Sequence, residues 1–210
     1  MWRERVYNGT LRPKSDREEV ITGEYLNDLL GGLNVTVGTD YSTKLSEAHD
    51  VNFITTGLYL GDKYTAKDRR FLARTGFTHV LNAAEGIDEY QVNTNQHFYR
   101  SANITYLGIP GHDRPSWNIS VYFDEAARFI DQAVKSGGKV LVHCVVGISR
   151  SATLVIAYLM ICKGMNAAEA LAYTFKRRRV YPNHGFLNHL AQLNNVLNKT
   201  REPTFKSYLL

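Results

Sequence analysis

One of the chain's two cysteines, Cys144, stands in a segment whose residue types could do chemistry together. The order is His143-Cys144-Val145-Val146-Gly147-Ile148-Ser149-Arg150-Ser151, set between a β-branched run and an apolar block from Ala152 to Cys162. This reads as a strand, a tight turn and a helix. Residues Val145 to Arg150 are able to curl so that successive backbone N–H groups converge, and such a nest at the positive end of a helix binds anions. Gly147 permits a backbone conformation that a side chain obstructs. A cysteine at the rim of that site is stabilised as thiolate. Arg150 offers a planar fork suited to two oxygens of one phosphate. Ser151 places a hydroxyl to donate to the sulfur when sulfur becomes a leaving group. His143 should point away from its neighbour, so it is assigned to orienting the loop rather than to acting as a base.

A lone cysteine near a helix start is ordinarily a buried, inert thiol. The combination of His-Cys, five residues including a glycine, and then Arg-Ser is what favours a reactive one. The other cysteine, Cys162, lies eighteen positions on, and a helix between them would separate the pair by roughly 27 Å. That excludes a disulfide and makes Cys162 a small core hydrophobe.

The elements that must position these residues can be read along the 210-residue chain. "GEYLNDLLGG", Gly23–Gly32, reads as a short helix stopped by its glycine pair, followed by a polar connector to about Asp50. Strands are expected at Leu58–Asp62, Thr78–Ala84, Ile104–Pro110 and Lys139–Cys144, the last fully apolar as at a sheet centre. Helices are expected at Ala66–Gly76, Asn118–Gly138, Ser149–Lys163, Ala167–Arg178 and Gly185–Lys199, with Val121, Phe123, Ala126, Ala127, Ile130 and Val134 as the buried stripe of the second. The alternation predicts an α/β fold, a central mostly parallel β-sheet flanked by helices. The Cys144 turn then lies at the carboxyl edge of the sheet, where such folds bind ligands. The expected organisation is a flexible charged N-terminus (1–22), a helix and connector packing on the main domain (23–50), a catalytic domain (51–200) and a C-terminal tail (201–210).

Charge divides unevenly. Residues 1–50 carry six Lys/Arg against nine Asp/Glu, net −3, and the remainder carries nineteen against eleven, net +8. A basic body favours anionic partners such as phosphoprotein, nucleic acid or an acidic membrane surface, and charge alone does not choose. The charged N-terminus lacks the apolar stretch of a signal peptide, and the block Ala152–Cys162 is about half the ~20 residues a membrane span needs. The expectation is a soluble, cytoplasmic protein, with the nucleus as a second location. The scattered histidines show no metal-ligand spacing, so neither metal nor other cofactor is expected.

"HCVVGISRS" resembles the signature of the cysteine-based protein tyrosine phosphatase superfamily. "GLYLGD", "THVLNAAEG", "ITYLGI", "RSATLVIAYLM" and "PNHGFL" resemble, in order, the blocks of its small VHR-like atypical dual-specificity phosphatases, over roughly residues 24–198. The resemblance implies phosphorylated protein substrates, MAP kinases among them, rather than nucleic acid. It makes Cys144 the nucleophile, Arg150 and the loop Val145, Val146, Gly147, Ile148 and Ser149 the phosphate-binding group, and Arg178 a second phosphate-side contact. Asn183 would brace the loop through backbone hydrogen bonds.

The leaving oxygen needs a proton from a second loop. Asp113 is the only carboxylate of "GIPGHDRPSWNIS" and lies 31 positions before Cys144, similar to the family's general acid. Alone, it would be read as a turn residue. Asp124, at a helical position, is the second choice. The run Lys176–Arg179 reads as a solvated helix end, with nuclear import or acidic-substrate docking as alternatives. Glu85, near the same sheet edge as the Cys144 turn, is assigned to helix capping or loop bracing rather than to catalysis. Val145, Val146 and Ile148 make the loop rim apolar where some members of the resembled family carry charged or aromatic residues, so the resemblance implies no substrate preference. The chain lacks the length for the extra elements that give strictly tyrosine-specific relatives a deep pocket, and the resemblance then implies a shallow cleft that takes phosphoserine and phosphothreonine as well as phosphotyrosine. A phosphoinositide or RNA 5′-phosphate substrate, or a phosphoprotein-binding scaffold, are the alternatives.

Overall fold

The computed structural model describes residues 20–36 and 43–201. The tail 202–210, the charged stretch 1–19 and part of the connector therefore lie outside the described residues. Five strands, β1 (Val51–Thr55), β2 (Leu58–Gly61), β3 (His79–Asn82), β4 (Thr105–Gly108) and β5 (Val140–His143), form one sheet in the order β1-β2-β5-β3-β4. β2, β5, β3 and β4 are mutually parallel, and β1 is an antiparallel edge strand. The helices are α1 (Gly23–Thr36), α2 (Lys63–Lys67), α3 (Arg69–Arg74), α4 (Gln96–Tyr99), α5 (Phe123–Lys135), α6 (Arg150–Lys163), α7 (Ala167–Arg177) and α8 (His184–Arg201).

Alternation along the strands creates two cores, because successive side chains point to opposite faces. Leu58, Leu60, Leu81, Val140 and Val142 pack with residues of α1, α5, α6, α7 and α8. Tyr59, Val80 and Leu141 pack on the other face with Phe71, Leu72 and Tyr99 of α3 and α4. The β5 strand is central and buried on both faces, which explains its unbroken apolar run. Helix α6 is buried at every position from Arg150 to Met160. A helix apolar all round belongs inside a helical layer, and α5, α7 and α8 surround it.

Gly61, His143 and Asn82 are register partners at the ends of β2, β5 and β3, so the segments that follow emerge at one edge. That edge carries the Cys144 loop.

Four expectations are corrected. β1 was not expected; it pairs with β2 through a two-residue turn, Thr56-Gly57, in which Gly57 takes φ +75°. Helix α1 does not stop at Gly31-Gly32 but runs to Thr36, because glycine costs only about 1 kcal/mol against alanine and Leu33 still reaches the core. The helix expected at Ala66–Gly76 is split: Asp62 accepts from Thr65 N and Asp68 from Phe71 N, giving two caps and two short helices. In the 118–138 segment, residues Ile119–Tyr122 form a 3-10 turn before α5, so Val121 faces solvent. No helix of the described residues is long and apolar enough to cross a membrane.

Candidate active site

Between β5 and α6 the chain turns with its carbonyls held outward. Val145 O accepts from Lys63 N at 3.1 Å and Ile148 O from Tyr181 N at 2.7 Å. Val146 O and Gly147 O accept from Arg178 Nη2 and Nε, each at 2.8 Å. In a planar trans peptide the C=O of one residue and the N–H of the next point in opposite directions. The N–H groups of Val146, Gly147, Ile148 and Ser149 are thus directed to the inner side of the loop. Gly147 N donates to Cys144 Sγ at 3.2 Å. Among the described residues the other three amides have no protein acceptor. Gly147 sits at φ +80°, and a Cβ there would stand 2.3 Å from Gly61 O, so only glycine fits.

Cys144 is 2% exposed, and its sulfur also accepts from Ser151 Oγ at 3.2 Å. Burial pushes a thiol up. Here the Arg150 charge, the Ser151 hydroxyl and the N–H groups of Ser151 and Gly147 outweigh burial and leave the thiol below its ordinary value. Arg150, 4% exposed, is anchored through Nη1 to Tyr90 O at 2.7 Å and Gly111 O at 3.0 Å. Its Nε stands 3.5 Å from Asp113 Oδ2 and makes no hydrogen bond.

The Asp113 carboxylate is tied to the same loop. Its Oδ1 accepts from Ser149 Oγ and Asn183 Nδ2, both at 2.8 Å. Asn183 N donates to Ser149 Oγ at 3.3 Å, and Asn183 Oδ1 caps α8 by accepting from Phe186 N. Asn183 therefore braces the catalytic loop through its backbone N–H on Ser149, as expected, and its side chain also holds the acid loop through Asp113. His143 is fully buried, with Nδ1–H donating to Cys144 O at 3.1 Å and Nε2 unpartnered. Burial pushes the imidazole down to about 4, more than the bond to Cys144 O offsets, and the Lys67 and Arg150 charges add to the lowering. It is neutral at pH 7. Glu85 accepts from Tyr106 OH at 2.9 Å, a bracing contact.

Arg178 requires the largest correction. All five of its N–H groups are used: Nε and one Nη2 hydrogen on the two loop carbonyls, the other three on Asp50 and Asn52. It grips the loop from behind and presents no donor to a phosphate. It also removes the middle of the run Lys176–Arg179 from solvent, while Arg177 lies over the Tyr173 ring at 3.4 Å.

Tyr90, Gly111, Asp50 and Asn52 were not foreseen. Tyr90 and Gly111 contribute carbonyl oxygens, which no residue type announces. Tyr90, His112, Arg114, Val145 and Val146 line a cleft of about 460 Å³ that leads to Arg150 and Asp113. Among the described residues no three or more His, Cys, Asp or Glu side chains come together in a group suited to a metal ion.

An inward-facing amide cup with a thiol at its floor, a buried guanidinium and a carboxylate on a neighbouring loop suits attack on a tetrahedral oxyanion. Comparison with known proteins agrees. The dual specificity phosphatase catalytic domain family matches residues 58–196. Human dual specificity protein phosphatase 13B is 47% identical over 143 residues, covering 68% of this chain and 71% of that protein. The structure of human tyrosine phosphatase-like serine/threonine/tyrosine-interacting protein is 34% identical with a TM-score of 0.62, over 70% of this chain and 97% of that one. Human DUSP28 is 27% identical with a TM-score of 0.60, over 70% and 93%. The chain belongs to the dual-specificity phosphatases, as an atypical member of the cysteine-based protein tyrosine phosphatase superfamily and a protein phosphatase.

Proposed function

We propose that the chain hydrolyses phosphotyrosine and phosphoserine/phosphothreonine in proteins by two displacements at Cys144. The thiolate attacks phosphorus, the P–O bond to the substrate breaks, and Asp113 gives its proton to the departing oxygen. Asp113 then takes a proton from water, whose oxygen attacks the phosphocysteine. The P–S bond breaks, and Ser151 Oγ and Gly147 N stabilise the returning thiolate. Oδ1 of Asp113 already accepts two hydrogen bonds, so Oδ2 is the oxygen that carries the transferred proton. With Nη1 of Arg150 on two carbonyls, Nε and Nη2 are left for two phosphate oxygens. Preorganised donors of this kind commonly supply the largest share of rate enhancement.

The observation that carries this reading is the sulfur of Cys144 sharing a donor, Gly147 N, with the amide cup. The apolar rim at Val145 and Val146 and the single arginine inside the loop support a protein substrate over a polyanionic lipid headgroup or RNA end. Phosphorylated kinases of the MAP type are the first substrates to assay, and cytoplasm with access to the nucleus is the proposed location. The test is hydrolysis of an aryl phosphate and of phosphotyrosyl and phosphothreonyl peptides in chelator, with Cys144→Ser as control. Turnover of both peptides, lost in the variant, is expected. Full activity in Cys144→Ser would overturn the mechanism, and tight peptide binding without turnover would favour a scaffold.

A further inference from the structure

The residue expected to touch substrate instead holds the loop that does. Resting on the reading of Cys144–Arg150 as the phosphate site, we infer that Arg178 is a positioning residue whose own geometry is set by Asp50 and Asn52. These two residues lie ahead of the stretch 58–196 that matches the family.

The direction of the amide cup depends on where four carbonyls point, and Arg178 supplies two of the four outward donors. By peptide planarity, its bonds to Val146 O and Gly147 O aim the N–H groups of Gly147 and Ile148 inward. Of these, Gly147 N already reaches Cys144 Sγ. A guanidinium can hold two carbonyls in this way only while its plane is fixed. Asp50 fixes it bidentately, Oδ1 and Oδ2 each accepting at 2.7 Å, and Asn52 Oδ1 accepts the fifth N–H at 2.8 Å.

Those anchors are themselves held. Asn52 Nδ2 donates to Thr43 Oγ1 at 3.1 Å, and Thr43 Oγ1 donates to Arg177 O at 2.6 Å. Asp50 O accepts from Asp62 N at 3.2 Å, just after β2. The segment 43–52 thus straps the end of α7 to the back of the catalytic loop.

Exposure separates this role from a general contribution to stability. Arg178 is 6% exposed, whereas the Asp50 side chain is 56% exposed. With Asp50 half open to water the attraction between the two charges is screened, while the bidentate contact keeps its directional hold. What it controls is the orientation of the fork. Lysine at position 178 would keep a charge but could not hold two carbonyls and a carboxylate in one plane.

The experiment uses the full chain with Asp50→Asn, Asn52→Ala and Arg178→Lys, and needs no substrate. Iodoacetate alkylation of Cys144, resolved from Cys162 by peptide mass spectrometry, is followed against pH and against added inorganic phosphate. In the unaltered chain phosphate protects Cys144. Asp50→Asn and Arg178→Lys are expected to weaken that protection about five- to tenfold and raise the alkylation midpoint by roughly half a pH unit, with the fold intact by circular dichroism. Protection within twofold of the unaltered chain in these folded variants would overturn the inference. Should either variant fail to fold, Asn52→Ala, which removes one acceptor only, decides by the same criteria. Absence of phosphate protection in the unaltered chain would instead sink the phosphate site, and this inference with it.

Discussion

Ser149 donates its hydroxyl to Asp113 Oδ1 at 2.8 Å, so the acid's own carboxylate is tied directly to the loop that carries the nucleophile. Asn183 reinforces the junction by donating to the same oxygen and to Ser149 Oγ. Removing Ser149 Oγ or Asn183 Nδ2 leaves Asp113 held by one donor. Ser149→Ala and Asn183→Ala are each expected to lower kcat about tenfold through misplacement of the carboxyl, with a smaller change in KM. The double variant should lose less than the product of the two, because both act on one group. Steady-state kinetics of the three proteins checks this.

Asp113→Asn should cost kcat in proportion to the difficulty of the departing group. General acid catalysis supplies about 10²- to 10⁴-fold where the leaving oxygen needs a proton. Alkyl phosphates, as in phosphothreonine, should lose the full amount. An aryl phosphate bearing electron-withdrawing groups leaves unaided and should lose far less. A series of aryl phosphates measures the slope of kcat against leaving-group basicity, which should steepen in the variant.

The lowered Cys144 thiol places thiolate at the site below the pH at which an ordinary cysteine ionises. Ser151→Ala removes one hydrogen bond to sulfur and should raise the alkylation midpoint by about half a unit. It should slow breakdown of the phosphocysteine more than its formation, since the hydroxyl stabilises sulfur as it leaves. Rapid-quench kinetics would show this as a larger burst.

His143 gives the fold an acid sensitivity of definite sign. Its folded value of about 4 lies below the unfolded value, so between the two the unfolded chain binds more protons. Stability is therefore full above pH 6.5, falls as pH drops towards 4 and levels off below. The shift corresponds to roughly 3 kcal/mol across that window. Burial lowers His79 and His189 in the same direction, so the informative quantity is a difference. Urea unfolding at pH 7 and pH 5 should show a smaller loss for His143→Gln than for the unaltered chain.

The chemistry-bearing residues from His143 to Ser151 were legible because they are contiguous and their strand-turn-helix context is local. Asp113 was legible only once the Cys144 loop was read, as the one carboxylate of a loop after a strand at a spacing similar to the family's general acid. The residues that hold them were not. Tyr90 O reaches Arg150 across 60 positions and Asp50 reaches Arg178 across 128, and long-range contacts of this kind leave no periodic trace. Arg178 was misassigned for the same reason: its type allows phosphate binding, and only the placement of Asp50 and Asn52 shows that its donors are used. Strand β1 escaped notice because an edge strand of mixed polarity, Val51–Thr55, is weakly patterned. Helix α1 outlasts its glycine pair because packing on α8 overrides propensity.

The account stands on Cys144 as the atom that receives the phosphoryl group. The direct measurement is acid quench of Asp113→Ala during turnover of an activated aryl phosphate, followed by mass spectrometry of the peptide that contains Cys144. A phosphoryl adduct on Cys144 that forms and decays at rates consistent with kcat is the predicted result. Turnover with no adduct on Cys144, or with the adduct on another residue, would contradict it.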